Sequence, residues 1–285
     1  MSRYGFLAKL FPVPAFAALM LAGCSGGEEK KPEAKPAAEK KEKAKKGGKL
    51  EELAAATDGV LKGRIVIDGE SPKIELITAM AKHNDAEKSC LAPDATETEK
   101  IVQTWILAPD KKGVANVVIK LLPPAGKKFK DIAPASKEVV MDQPHCAFVP
   151  HVVALVPGQT LLMKNSAKVA HNTKTSVDPT SGNENKSQTI PPDGSVTFDF
   201  NPQKNPISIA CDFHPWMTGL VFVNDSPYVA VTDKDGNFEI KNVPTGVELT
   251  VVGFHENGEV EGAKDGQKKT FVAGANTLDL KVKAK

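Results

Sequence analysis

Seven residues constrain the fold of this 285-residue chain more than any others: Cys211-Asp212-Phe213-His214-Pro215-Trp216-Met217. They set a thiolate, an imidazole and a thioether at spacings of three, directly behind the apolar run Ile207-Ser208-Ile209-Ala210. A tight loop at a strand end can wrap such donors around one point. A second imidazole, His171, stands upstream in Lys164-Asn165-Ser166-Ala167-Lys168-Val169-Ala170-His171-Asn172, again behind a β-rich run. A fold that uses all four donors must bring two distant strand ends together.

The rest of the sequence is written in the same short units. Val60 to Gly69, Lys100 to Leu107 and Val114 to Leu122 read as strands, the last stopped by Pro123-Pro124. Val152 to Val156 and Thr160 to Lys164 flank the turn Pro157-Gly158-Gln159, and Ser195 to Phe200, Ile207 to Ala210 and Leu220 to Val223 continue the series. Asp235-Gly236 between alternating runs signals a hairpin. With 22 Gly, 21 Pro and only 6% aromatic residues, the expectation is an all-β chain of sandwiches or barrels. Helix is expected only around Glu51 to Ala56 and Thr78 to Ser89.

The N-terminus reads as an address. Arg3 and Lys9 precede the apolar stretch Leu10 to Leu21, and Leu21-Ala22-Gly23-Cys24 resembles a bacterial lipobox. The resemblance implies a lipoprotein signal peptide over 1–23, cleavage there, and lipidation of Cys24. Ser25 after the cysteine favours, by analogy, the outer membrane facing the periplasm. No apolar run reaches the roughly 18 residues needed to span a bilayer, so the lipid would be the sole membrane anchor. Residues 24–57, almost wholly Lys, Glu, Ala, Pro and Gly to Lys49, form a solvated tether because they bury too little apolar area to offset ordering entropy. Removing Arg3 and Lys9 from 37 basic residues leaves 35 against 35 acidic ones, so the mature chain has no net field. Its one remaining arginine, Arg64, argues against nucleic acid as a partner.

The chemistry of the four donors is selective. Soft sulfur with imidazole prefers copper to magnesium or calcium, and a weak axial Met marks a blue-copper site. At these residues the chain resembles the cupredoxins: Cys-x-x-His-Pro-x-Met is close to the amicyanin loop, and Asn-x5-His-Asn matches the first-ligand loop, over about Val139 to Val223. The resemblance implies a Greek-key β sandwich with one type 1 copper held by His171, Cys211, His214 and Met217. It also implies that Asn172 hydrogen-bonds to the cysteine loop. In the family the second loop histidine reaches the surface through an apolar patch, which makes Pro215 and Trp216 the expected electron-entry and docking face.

Cys90 and Cys146 remain. Even parity in an oxidising compartment makes a Cys90–Cys146 disulfide the plain reading. The alternative is a second metal site from His145, Cys146 and His151, which converge only if the chain bends near Val149-Pro150. His83 reads as a solvated side chain and His255 as a surface residue.

The segment Ala230 to Gly246, with its Asp-x-Asp-Gly hairpin and Pro-x-Gly turn, resembles the carboxypeptidase regulatory-like, transthyretin-like β sandwich. Its usual first strands look instead like Leu61 to Gly69 and Val114 to Leu122. The domain expectation is therefore 58–124 as the first strands of that small sandwich, 125–225 as an inserted cupredoxin domain, and 226–285 as the remaining strands. The family label brings no catalysis: there is no His-Glu-x-x-His, no Gly-x-Ser-x-Gly, and no His-x-His pair among six histidines for a multicopper cluster. The leading expectation is a non-enzymatic envelope protein passing single electrons between redox partner proteins. A copper-delivery protein and a metal-free interaction module on the same scaffold are the alternatives.

Overall fold

Alternation of buried and exposed positions locates the strands of the computed structural model, which describes residues 50–285 except 264. Asn237–Val243 and Leu280–Ala284 bury every second side chain over most of their length, as strands with one face on a core must. The described chain is all-β, with short helical turns only at Thr78–Lys82, Ala86–Cys90 and Glu97–Glu99.

Strands from both ends of the described chain build one sandwich. One sheet runs Val229–Val231, Val118–Leu122, Glu248–Phe254, Gln267–Thr270. Facing it is Asn237–Val243, Gly59–Ile67, Leu280–Ala284, Gly258–Val260, with Gly274–Thr277 also paired to Gly59–Ile67. Leu61, Ile65, Ile119, Leu121, Phe238, Leu249, Val251 and Val282 fill the space between. Gly59–Ile67 thus depends on partners more than 170 residues away in sequence. Gly236 sits at φ +85°, where a side chain would be strained, and closes the Asp235-Gly236 turn against Ile65 through Ile65 N–H to Gly236 O at 2.8 Å. Arg64 is spent here, donating to the Asp235 carbonyl and to Asp110.

The second sandwich lies within the interval between those strands. A three-stranded sheet orders Ser195–Phe198, Thr160–Lys164, Glu138–Met141. The five-stranded sheet opposite orders Val152–Leu155, Thr218–Val223, Ile207–Ala210, His171–Ser176, Ser187–Ile190. Phe148, Leu155, Leu161, Met163, Ile207, Ile209 and Val221 form its core. Val118, Val152 and Leu220 make a small third cluster that joins the two sandwiches.

Several sequence expectations change. Glu51–Glu52 is not helical: it pairs as a strand with Lys127–Lys128, and Leu53 packs against the first core. Order therefore begins by Leu50, inside the tether assigned to 24–57, and residues 127–129 join the first sandwich, Phe129 in its core. Lys100 to Leu107 makes only isolated bridges at Ile101 and Leu107. Its apolar residues do not need a sheet: Trp105 is buried in the first core. The signal peptide, Cys24 and residues 25–49 lie outside the described residues.

Candidate metal centre

The hairpin register places the thiol. Ile207–Ala210 pairs antiparallel with Thr218–Val223, Ala210 opposite Thr218, so Cys211 to Met217 is the connecting loop. Its base is closed by Cys211 N–H to Met217 O at 3.2 Å and Met217 N–H to His214 O at 2.8 Å. On the other side Ala210 pairs with Lys174, which carries the start of that strand, His171, to the same sheet end. Two ligand groups 40 residues apart thus become neighbours through ordinary antiparallel pairing.

Three of the side chains that the sequence singled out meet there, and Met217 is buried in the same core. His171 Nδ1 lies 3.9 Å and His214 Nδ1 3.8 Å from Cys211 Sγ, and the imidazole centroids are 4.7 Å apart. His171, Cys211, His214 and Met217 are all buried. Asn172 accepts the Asp212 N–H on Oδ1 at 2.6 Å, while its own backbone N–H points at Cys211 Sγ at 3.4 Å. Its amide also donates to Asp212 Oδ2 and Ser187 Oγ, so the loop is tied to the neighbouring strand from both sides.

Burial, and then the adjacent His214, pulls the pKa of His171 down to about 4. Burial first, with His83 next, lowers that of His214, against an opposing pull from Asp85. Both rings are therefore neutral near pH 7 and each has a lone pair to give. Neutral imidazoles, a free thiol and a buried thioether, without a carboxylate among them, fit a soft transition metal and fit copper well.

A third part of the chain covers the site. Between Gly59–Ile67 and the return of Trp105 to the first core, the chain from Ile77 to Glu99 packs against the second sandwich. Met80 and Cys90 enter the second core, and Cys90 is disulfide-bonded to Cys146. Asp85 Oδ2 stands 3.2 Å from His214 Nε2, and the His83 ring lies 4.6 Å from that of His214. The solvent-facing histidine edge expected from the family is absent: His214 is 0% exposed. Trp216 is half-buried, its indole N–H on the Cys146 carbonyl at 3.1 Å and its ring 5.3 Å from His83. Pro215 and Phe213 remain exposed, Phe213 to 45%.

His145, Cys146 and His151 do not share a centre. Cys146 is in the disulfide. His145 places Nδ1 2.7 Å from Glu99 and Nε2 3.4 Å from Asp94. His151 faces the Thr218 carbonyl and Glu256, each at 2.9 Å. Two other histidines also depart from expectation. His83 is packed at the site, and His255 is buried, its ring 4.0 Å from Trp105. His83 and Asp85 were the residues sequence reasoning missed. The signal was Cys90, whose pairing with Cys146 draws Lys82-His83-Asn84-Asp85 toward the thiol loop.

No family model and no curated protein matches the chain. Solved structures do. A purple cupredoxin from Nitrosopumilus maritimus is 19% identical over 31% of this chain and 100% of its own, with a TM-score of 0.25. An amicyanin mutant in its Cu(I) form is 20% identical over 37% of this chain and 99% of its own, TM-score 0.28. A Cu-containing nitrite reductase from Thermus scotoductus is 18% identical over 34% of this chain and 25% of its own, TM-score 0.28. These likenesses cover between 31% and 37% of the chain.

Proposed function

We propose that this chain is an envelope-anchored type 1 copper protein that carries single electrons between redox partner proteins. The observation that supports it is the Cys211 thiol, within 4 Å of two imidazole nitrogens that burial keeps neutral. His171, Cys211 and His214 would hold the ion, with Met217 as the weak fourth donor. Bound there, copper supplies a one-electron couple. The protein's part is to keep the donors in place: Asn172 ties the thiol loop to the adjacent strand, and the two closing hydrogen bonds pin Met217 to Cys211 and His214. Small change in the ligand shell means small reorganisation when an electron moves.

Enclosure argues for carriage over catalysis. The four donors are buried, and His83 and Asp85 lie against His214, which disfavours an open position for a substrate. Anchoring in the envelope, with the outer membrane as its site, rests on Leu21-Ala22-Gly23-Cys24, and the membrane contact is by lipid alone. Among the described residues no helix is long and apolar enough to cross a membrane.

The visible spectrum of the copper-loaded protein tests this reading. An intense thiolate-to-copper band, bleached by ascorbate and absent in Cys211→Ala, is expected. A colourless Cu(II) complex would overturn it; tight Cu(I) binding with fast exchange would then indicate copper delivery, and no binding a metal-free interaction module.

A further inference from the structure

We infer that Asp85 is a positioning residue: it fixes His214 with the proton on Nε2 and the Nδ1 lone pair turned toward Cys211. The inference rests on reading Cys211, His171, His214 and Met217 as a metal centre. His214 has two ring nitrogens and one neighbour for each. Nδ1 faces Cys211 Sγ at 3.8 Å, and Nε2 faces Asp85 Oδ2 at 3.2 Å. A carboxylate can only accept, so Nε2 must donate. An imidazole that is to hold a metal must keep one ring nitrogen bare, and Nδ1 is the one that faces the thiol. With the proton committed to Asp85, Nδ1 is left bare toward the thiol. The reverse tautomer would set a bare Nε2, on a ring that has no access to solvent, lone pair to lone pair against the carboxylate.

Asp85 is itself held. Its carbonyl accepts the Ser89 and Cys90 N–H groups at 2.9 and 3.1 Å, and its own N–H donates to His83 Nδ1 at 3.2 Å. The turn ends at Cys90, whose disulfide to Cys146 fastens it beside the site. The carboxylate therefore comes from residues 70–113, which belong in sequence to the other sandwich, and reaches the metal only through His214. Carboxylate partners of ligating histidines set tautomer and orientation and raise ligand basicity, and losing one typically costs roughly 10- to 100-fold in metal affinity.

The test compares the mature full-length protein with Asp85→Ala and Asp85→Asn. In the metal-free protein, long-range proton–nitrogen NMR reads the His214 tautomer, and competition with a chelator reads Cu(I) affinity. Wild type should show His214 protonated at Nε2 only. Asp85→Ala should populate both tautomers and bind Cu(I) about 10-fold or more weakly. Asp85→Asn, which keeps an acceptor oxygen, should lie between, and guards against misreading an unfolded Asp85→Ala. An Nδ1-protonated His214 in wild type, or an unchanged tautomer and affinity in both variants, would overturn the inference. If the Cu(II) band is present while the variants change neither property, Asp85 fails and the copper reading stands. If the tautomer depends on Asp85 but no Cu(II) band forms, the positioning role stands and the type 1 reading falls.

Discussion

Asn172 gives its Oδ1 to the Asp212 N–H and its backbone N–H to Cys211 Sγ, so one residue satisfies two groups of the thiol loop. Asn172→Ala would strand the Asp212 amide, and it should destabilise the metal-free protein by about 1–3 kcal/mol in denaturant titrations. A second test uses His255, whose pKa burial holds down at about 4. Unfolded, the same ring titrates near 6.5, so the unfolded chain takes up a proton that the folded one refuses. Stability is thus whole above about pH 6.5 and falls as pH drops toward 4, by at most about 3 kcal/mol for this residue. Glu256 opposes the shift, and His151 and Lys285 add to it. Thermal melts of metal-free protein from pH 7.5 to 4.5 should show the slope, and His255→Gln should flatten it without abolishing it, since His171 behaves alike. The candidate donors were legible from sequence because spacing and donor type are local properties. The burial of His255 was not, since its cover, Trp105, comes from a distant run that reads as a strand.

The excursion of residues 70–113 is where sequence reading failed and for a clear reason. It has little regular structure, only three short helical turns, and its place is set by contacts with residues far along the chain: Cys90 with Cys146, Glu99 with His145, Asp85 with His214. Hydrophobic periodicity cannot report such contacts. The hairpin strands around the thiol loop were read correctly because alternation and turn chemistry sit within a few residues. The disulfide closes a separation of 56 residues, which in the chain-entropy picture is worth about 4 kcal/mol. Replacing Cys90 and Cys146 together by serine should lower stability by up to that amount. It should also open protease cleavage between Thr78 and Glu99, read by mass spectrometry of early fragments. Fragments mapping only elsewhere would show that apolar packing of Met80, not the disulfide, holds this stretch down.

Two sandwiches share one polypeptide in an uneven way. The first takes strands from residues 59–122 and again from 229–284, and the second lies between. Residues 226–285 expressed alone lack Gly59–Ile67, the strand that pairs with Asn237–Val243, Gly274–Thr277 and Leu280–Ala284. They should give no cooperative melt, whereas a sharp transition would show that the late strands are self-sufficient. The contact of His151 with Glu256 and the cluster of Val118, Val152 and Leu220 then tie the inserted unit to its host.

The position of the disulfide bears on how the protein is made. Cys90 and Cys146 each stand with His214 in a tight group of ligand atoms, Cys90 beside His83 and Cys146 beside His171, while Cys211 is the free thiol of the described residues. Three sulfurs gather near His214, and of their three possible pairings only Cys90 with Cys146 leaves the Cys211 thiol available. A metal ion already seated on Cys211 would act as a protecting group, steering oxidation to the remaining pair. Oxidation before metal uptake would leave Cys211 open to the wrong pairing, to be undone only by thiol–disulfide exchange. For a chain built this way, the order of loading and oxidation becomes part of what the sequence encodes.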